Sequence, residues 1–155
     1  MAEPLARPIT PDRCLRLGAS HLRRLGITRQ KAAYCVNIAA AIHRGEIDLE
    51  ALARMDDETA RAALVRIMGI GMWTADIYLL MAMRRPDVWP AGDAALVKAV
   101  RAVRRLRKLP SPARMRKISE TWRPFRAVAA RMLWQHYLLN GARSETGDLS
   151  TRSAA

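Results

Sequence analysis

An all-α domain built from short helices is the fold class this sequence predicts. Three observations point to it. Apolar residues recur at helical spacing between recognisable caps, and no segment sustains the alternation of a strand. The chain of 155 residues is half hydrophobic, yet has only eight aromatic residues, four of them Trp. Its core must therefore come largely from Ala, Leu, Ile, Val and Met, a composition that favours helices. Glycine and proline interrupt the pattern often enough to keep each helix short.

The elements follow in order. Thr10-Pro11-Asp12 reads as a cap followed by proline at the first helical position. That helix stops near Gly18, and Ser20 opens another that ends at Gly26. Thr28 caps a longer helix with Ala32, Val36, Ala39 and Ala40 on one face, and Gly45 closes it. Asp48 to Met55 is a short helix, and Asp56 and Asp57 place negative charge at the start of the next, which runs to Ile67. After Met68-Gly69-Ile70-Gly71 a helix resumes through about Arg84. The stretch Arg85 to Gly92, with two prolines, is a loop. Asp93 opens a helix to about Leu106, Pro110-Ser111-Pro112 breaks it, and two helices follow at about 113–121 and 124–139. One domain over 9–140 is expected, with disordered ends at 1–8 and 141–155.

The net charge is +13, which favours a polyanionic partner, most often nucleic acid. Between Lys98 and Arg131 stand twelve basic residues and one acid, Glu120. A solvated surface usually mixes signs. This stretch, with Lys98 and Arg101 nearest the preceding loop, reads as a face for phosphates. Cys14 and Cys35 have no metal-ligand spacing and read as free thiols of a reducing cytoplasm. No apolar run is long enough to span a membrane, and the N-terminus has no signal-peptide pattern, so a cytoplasmic, monomeric protein is expected. The histidines His21, His43 and His136 have no Cys or carboxylate partner at ligand spacing in the chain.

Gly69-Ile70-Gly71 leads into a helix, where backbone N–H groups and the helix dipole can hold a phosphate oxygen. Small residues there let another backbone approach closely. Alone, a Gly-x-Gly turn is weak evidence. Some twenty residues on stands Asp87-Val88-Trp89-Pro90-Ala91-Gly92-Asp93, and beyond it Trp122-Arg123-Pro124-Phe125-Arg126, Ala129-Ala130 and Trp134. With Leu25-Gly26-Ile27-Thr28-Arg29-Gln30-Lys31-Ala32, these motifs in this order resemble the DNA-3-methyladenine glycosylase II family. That family belongs to the helix-hairpin-helix, Gly/Pro-Asp superfamily of base-excision glycosylases. The resemblance covers roughly residues 9 to 138.

The resemblance implies a helix-hairpin-helix glycosylase fold, double-stranded DNA with damaged bases as partner, and Asp93 as the catalytic carboxylate. Read from position alone, Asp93 is also a helix N-cap, and the two roles are compatible. Trp73 and Trp134 match positions lining the base pocket, where indole faces would attract a cationic alkylated purine; core packing is the alternative for each. Gly69, Ile70, Gly71, Met72 and Thr74, with Lys98 and Arg101, would contact DNA. Trp73 stands where bifunctional relatives carry a nucleophilic Lys, so a monofunctional enzyme without lyase activity is implied. No metal site made of side chains is expected, but the hairpin carbonyls could hold a sodium or potassium ion. Family members also carry helices upstream of residue 9, so an N-terminally truncated domain is expected. The rival readings are a non-catalytic DNA-binding module and an inactive fragment. Trp89 and Trp122 read as structural, and Asp76 as a residue of a solvated face.

Overall fold

The computed structural model describes residues 9–151, with side chains through residue 140. The expected disordered ends, 1–8 and 141–155, lie outside the described side chains, although the backbone of 141–151 continues the last helix. The described residues form eight helices and no strand. None of these helices is long and apolar enough to cross a membrane. Two compact units are resolved, Met1–Ala75 and Asp76–Ala155.

In the first unit, α1 (Pro11–Arg24) begins at Thr10, whose hydroxyl accepts from Arg13 N–H. Gly18 breaks the helical geometry at φ +67°, so the two helices expected here are two arms of one kinked element. Helix α2 (Arg29–His43) starts at Thr28 in the same manner and lies against α1. The small side chains Ala32 and Ala39 on α2 are buried beside Cys14 and Leu22 of α1, which lets the helices approach closely. Truncating the fully packed Leu22 to Ala should cost about 2–5 kcal/mol. Gly45 then closes α2 with paired bonds from Gly45 N–H to the Ile42 carbonyl and from Glu46 N–H to the Ala41 carbonyl. Helices α3 (Leu49–Arg54) and α4 (Asp57–Val65) are capped by the Asp48 and Asp56 carboxylates. Hydrogen bonds from backbone and, at Asp56, from Thr59 hold both carboxyls below their ordinary range. A second core of Ala41, Ile47 and Ile67 sits at the foot of the hairpin.

Helix α5 (Met72–Met81) starts in the first unit and ends in the second. In the second unit, α6 (Ala94–Val103) packs on α8 (Arg126–Thr151), and α7 (Pro112–Glu120) lies between them in the chain. Leu79, Leu80, Val88, Leu96 and Val100 are essentially inaccessible and form the centre of this unit. Helix α6 ends at Val103, short of the expected Leu106. Arg105 turns left-handed at φ +49°, Arg105 N–H donates to the Ala102 carbonyl, and Leu106 N–H donates to the Arg101 carbonyl. This is a Schellman closure with arginine where glycine is usual, a stop that no breaker residue announces.

Candidate active site and nucleic-acid interface

The hairpin occupies the end of the first unit. After α4 the chain turns through Met68, Gly69, Ile70 and Gly71, with Ile70 N–H bonded to the Ile67 carbonyl. Gly69 stands at φ +96°, and a Cβ there would overlap the ring of Tyr34. Its glycine is thus demanded from within the chain, by Tyr34 packing under the turn. Gln30 Nε2 fixes the Tyr34 hydroxyl from the preceding turn of α2, at 2.7 Å. Gly71 differs: its backbone is not left-handed, and a Cβ would meet open space. The two glycines, expected to be small for one shared reason, thus stand in different surroundings. Met68, Met72, Trp73 and Thr74 are exposed around the turn, Trp73 to 47%. Core packing, one reading of Trp73, is therefore set aside.

The second unit holds Asp93, which is 9% exposed at the start of α6. Its Oδ1 accepts from Leu96 N–H at 2.8 Å and from the Trp134 indole N–H at 3.2 Å. Asp93 is the expected N-cap, and its carboxylate also accepts from Trp134, which the resemblance places at the base pocket. Trp134 is half-buried and engages Asp93 through its indole N–H.

The loop before Asp93 is fastened to α8. Ala127 N–H donates to the Pro86 carbonyl at 2.9 Å. Arg126 grips the Asp87 carboxylate with Nε on Oδ1 at 2.8 Å and Nη2 on Oδ2 at 3.0 Å. Arg123 Nη1 adds a bond to Asp87 Oδ2 at 2.7 Å, and Glu120 accepts from both arginines. Burial pushes the Asp87 carboxyl up, but the hydrogen bonds and charge of Arg126, with the charge of Arg123, hold it below its ordinary value. Trp89 is buried against Trp122, ring centroids 5.5 Å apart, as a structural pair.

Several expectations change. Asp76, assigned to a solvated face, is 4% exposed; its helix is apolar on nearly every side, and a buried carboxylate persists only with polar partners. The basic stretch is not one phosphate face. Arg123 and Arg126 are engaged with Asp87 and Glu120, while Arg104 lies over the Trp122 ring and Lys98 over Tyr137. Lys98, Arg101 and Arg105 nonetheless line an open groove of about 420 Å³ along α6. Arg107, Lys108, Arg114, Arg116 and Lys117 are exposed. His43 does have a carboxylate partner, Asp12, at 2.9 Å across the α1–α2 pair, a contact that no sequence spacing reveals. Tyr34 was not singled out in the sequence; Asp87 was matched to a family motif without a role, and Arg126 was read as part of the phosphate face. Among the described residues no cluster of His, Cys, Asp and Glu is arranged to hold a metal.

A glycine hairpin at the start of α5, then a loop with two prolines, then a carboxylate capping the next helix, is the order of a helix-hairpin-helix base-excision type of domain. The chain belongs to the HhH-GPD superfamily of base excision DNA repair proteins, whose pattern matches residues 2–124. It is 30% identical over 124 residues to a DNA-3-methyladenine glycosylase of Bacillus subtilis, covering 80% of this chain and 41% of that protein. It is 33% identical over 127 residues to DNA-3-methyladenine glycosylase 1 of Schizosaccharomyces pombe, covering 81% and 56%. The chain thus spans about half the length of these relatives. Among solved structures, a 3-methyladenine DNA glycosylase of S. pombe in complex with abasic DNA superposes with TM-score 0.75 at 33% identity, over 81% of this chain and 62% of the other. The 3-methyladenine DNA glycosylase of Archaeoglobus fulgidus gives 0.71 at 30% identity, over 83% and 42%.

Proposed function

We propose that this protein is a monofunctional DNA glycosylase that removes alkylated purines of the 3-methyladenine type from double-stranded DNA. The observation that carries this reading is Asp93, a nearly buried carboxylate whose Oδ1 is aimed by Leu96 N–H and the Trp134 indole. Alkylation at N3 or N7 makes the purine cationic. Breaking the C1′–N bond sends its electron pair into the ring, so the base departs neutral and the sugar becomes oxocarbenium-like. A carboxylate held beside that sugar stabilises the growing positive charge. Water then adds at C1′ and loses a proton, which Asp93 would accept, leaving an abasic site. An indole face, whether of Trp134 or of Trp73, would favour a cationic base by about 0.5–2 kcal/mol.

The hairpin N–H groups at the start of α5 would take a phosphate, and Lys98 and Arg101 would add attraction that weakens with salt. The peptide oxygens of the turn are the donor set a sodium or potassium ion would use, with the Gly71 carbonyl already accepting from Ala75 N–H and the Ile67 carbonyl from Ile70 N–H. That ion would stiffen the turn against a phosphate. Trp73 offers no amine, so no Schiff base forms at that position. Asp93→Asn tests the assignment: excision should be lost while duplex affinity is kept. Unchanged excision would remove Asp93 from the chemistry.

A further inference from the structure

We infer that Asp87 and Arg126 are positioning residues for Asp93, an ion pair that sets the register between the loop delivering the carboxylate and the helix delivering the Trp134 indole. The inference rests on Asp93 being the reacting carboxylate. Asp87 lies six residues before Asp93, and Arg126 lies eight before Trp134 on α8. The links close a ring. Arg126 holds Asp87 through Nε and Nη2, and Nη2 also donates to the Asp87 carbonyl at 2.7 Å. Trp134 holds Asp93, and Asp93 N–H reaches back to the Pro90 carbonyl at 3.4 Å. Between the two fastenings Val88, Trp89 and Pro90 are buried, and only the exposed turn Ala91-Gly92, spanned by the Asp93 N–H bond to the Pro90 carbonyl, separates them from Asp93, which gives displacement at Asp87 a short path to the carboxylate.

The chemistry of the pair supports a register role. A planar guanidinium bound to both carboxylate oxygens fixes direction as well as distance. Arg126 also spends Nη1 on Glu120, so all three of its side-chain nitrogens are committed. Such partly buried pairs add little net stability compared with apolar packing, and their best-attested use is to select one arrangement. Here that arrangement is the one in which the indole N–H meets Asp93 Oδ1.

The test uses 15N-labelled full chain, with the four indole N–H resonances assigned by single Trp→Phe variants. In Asp87→Asn and Arg126→Gln the Trp134 indole resonance should move toward its position in Asp93→Asn, and Arg126→Lys should restore part of the shift. Single-turnover release of 3-methyladenine should fall about tenfold or more, the penalty expected of a slightly misplaced reacting group. Affinity for the duplex should stay within twofold. An unmoved Trp134 resonance overturns the inference, whatever happens to the melting temperature. If the wild-type chain releases no base, the proposed activity fails, and the resonance alone decides the positioning role. Asp87→Asn preserves volume; if it and Arg126→Lys both fail to fold, the pair is a stability element and the inference is overturned.

Discussion

The indole N–H of Trp134 donates to Oδ1 of Asp93 across 3.2 Å, so a residue expected to stack on a base also aims the carboxylate. The two roles can be parted. Trp134→Phe keeps an aromatic face and deletes the donor. A hydrogen bond to a charged group is worth about 1.5–3 kcal/mol. Excision should therefore slow by roughly ten- to a hundredfold in Trp134→Phe, with duplex affinity little changed. Equal loss of both would mean the ring matters and the N–H does not.

Asp93 serves as cap and as charge, and substitution can separate these too. Asn caps as well as Asp, whereas Ala leaves the Leu96 N–H without its acceptor. Asp93→Asn should melt within a degree or two of wild type. Asp93→Ala should lose about 1 kcal/mol in denaturant unfolding. Excision should disappear in both. A strongly destabilised Asp93→Asn would show that the negative charge, and not the cap, holds the helix start.

The hairpin glycines should respond differently. At Gly69 a side chain would be strained at φ +96° and would collide with Tyr34. Gly69→Ala should cost on the order of 1–3 kcal/mol of stability, visible in urea unfolding. Gly71→Ala meets open space within the chain. It should leave unfolding unchanged and weaken duplex binding, because its methyl group would stand where a phosphate must approach. Equal effects on stability would refute the distinction.

How much was legible beforehand follows from where each signal lies. Helix starts were readable because Thr10, Thr28, Asp48, Asp56 and Asp93 each accept from a backbone N–H two or three residues on, a local bond; Ser111, read only as part of a break, caps α7 in the same way. Gly26 and Gly45 marked helix ends for the same reason. The end of α6 was not readable, since an arginine takes the left-handed place. Asp93 was singled out through its motif. Tyr34 under Gly69, Asp87 with Arg126, and Asp12 with His43 are contacts between residues 31 to 39 apart in the chain, and no local pattern encodes them. Asp76 misled because charge usually signals solvent, and only packing shows its burial.

Arg105 offers a test of that unannounced helix end. Arg105→Gly relieves a left-handed arginine at φ +49° and should raise stability by roughly 0.5–1 kcal/mol. The same change removes one charge from the groove shared with Lys98 and Arg101. Duplex affinity should fall modestly, and the dependence of log affinity on log salt should become shallower by up to about one. Unchanged salt dependence would place that groove away from the DNA.

Acid should loosen the loop clamp. The Asp87 carboxyl has a lower pKa folded than unfolded. Its contribution to stability is therefore full above the unfolded value, about 3.9, and is lost as pH falls through the lower folded value. Glu120 is shifted in the same direction, first by its hydrogen bond to Arg123. In melting experiments from pH 6 to pH 2, Asp87→Asn should narrow its gap from wild type at the acid end. A constant gap would deny the carboxylate its charged role.

The most direct measurement of the central claim is single-turnover incubation with an N-methylated duplex, analysed with and without alkali. Release of free 3-methyladenine, with strand breaks only after alkali, is the predicted result for a monofunctional glycosylase. Salt-sensitive duplex binding with no base released would contradict it, leaving the hairpin and the basic groove as a DNA-binding module without the chemistry of Asp93.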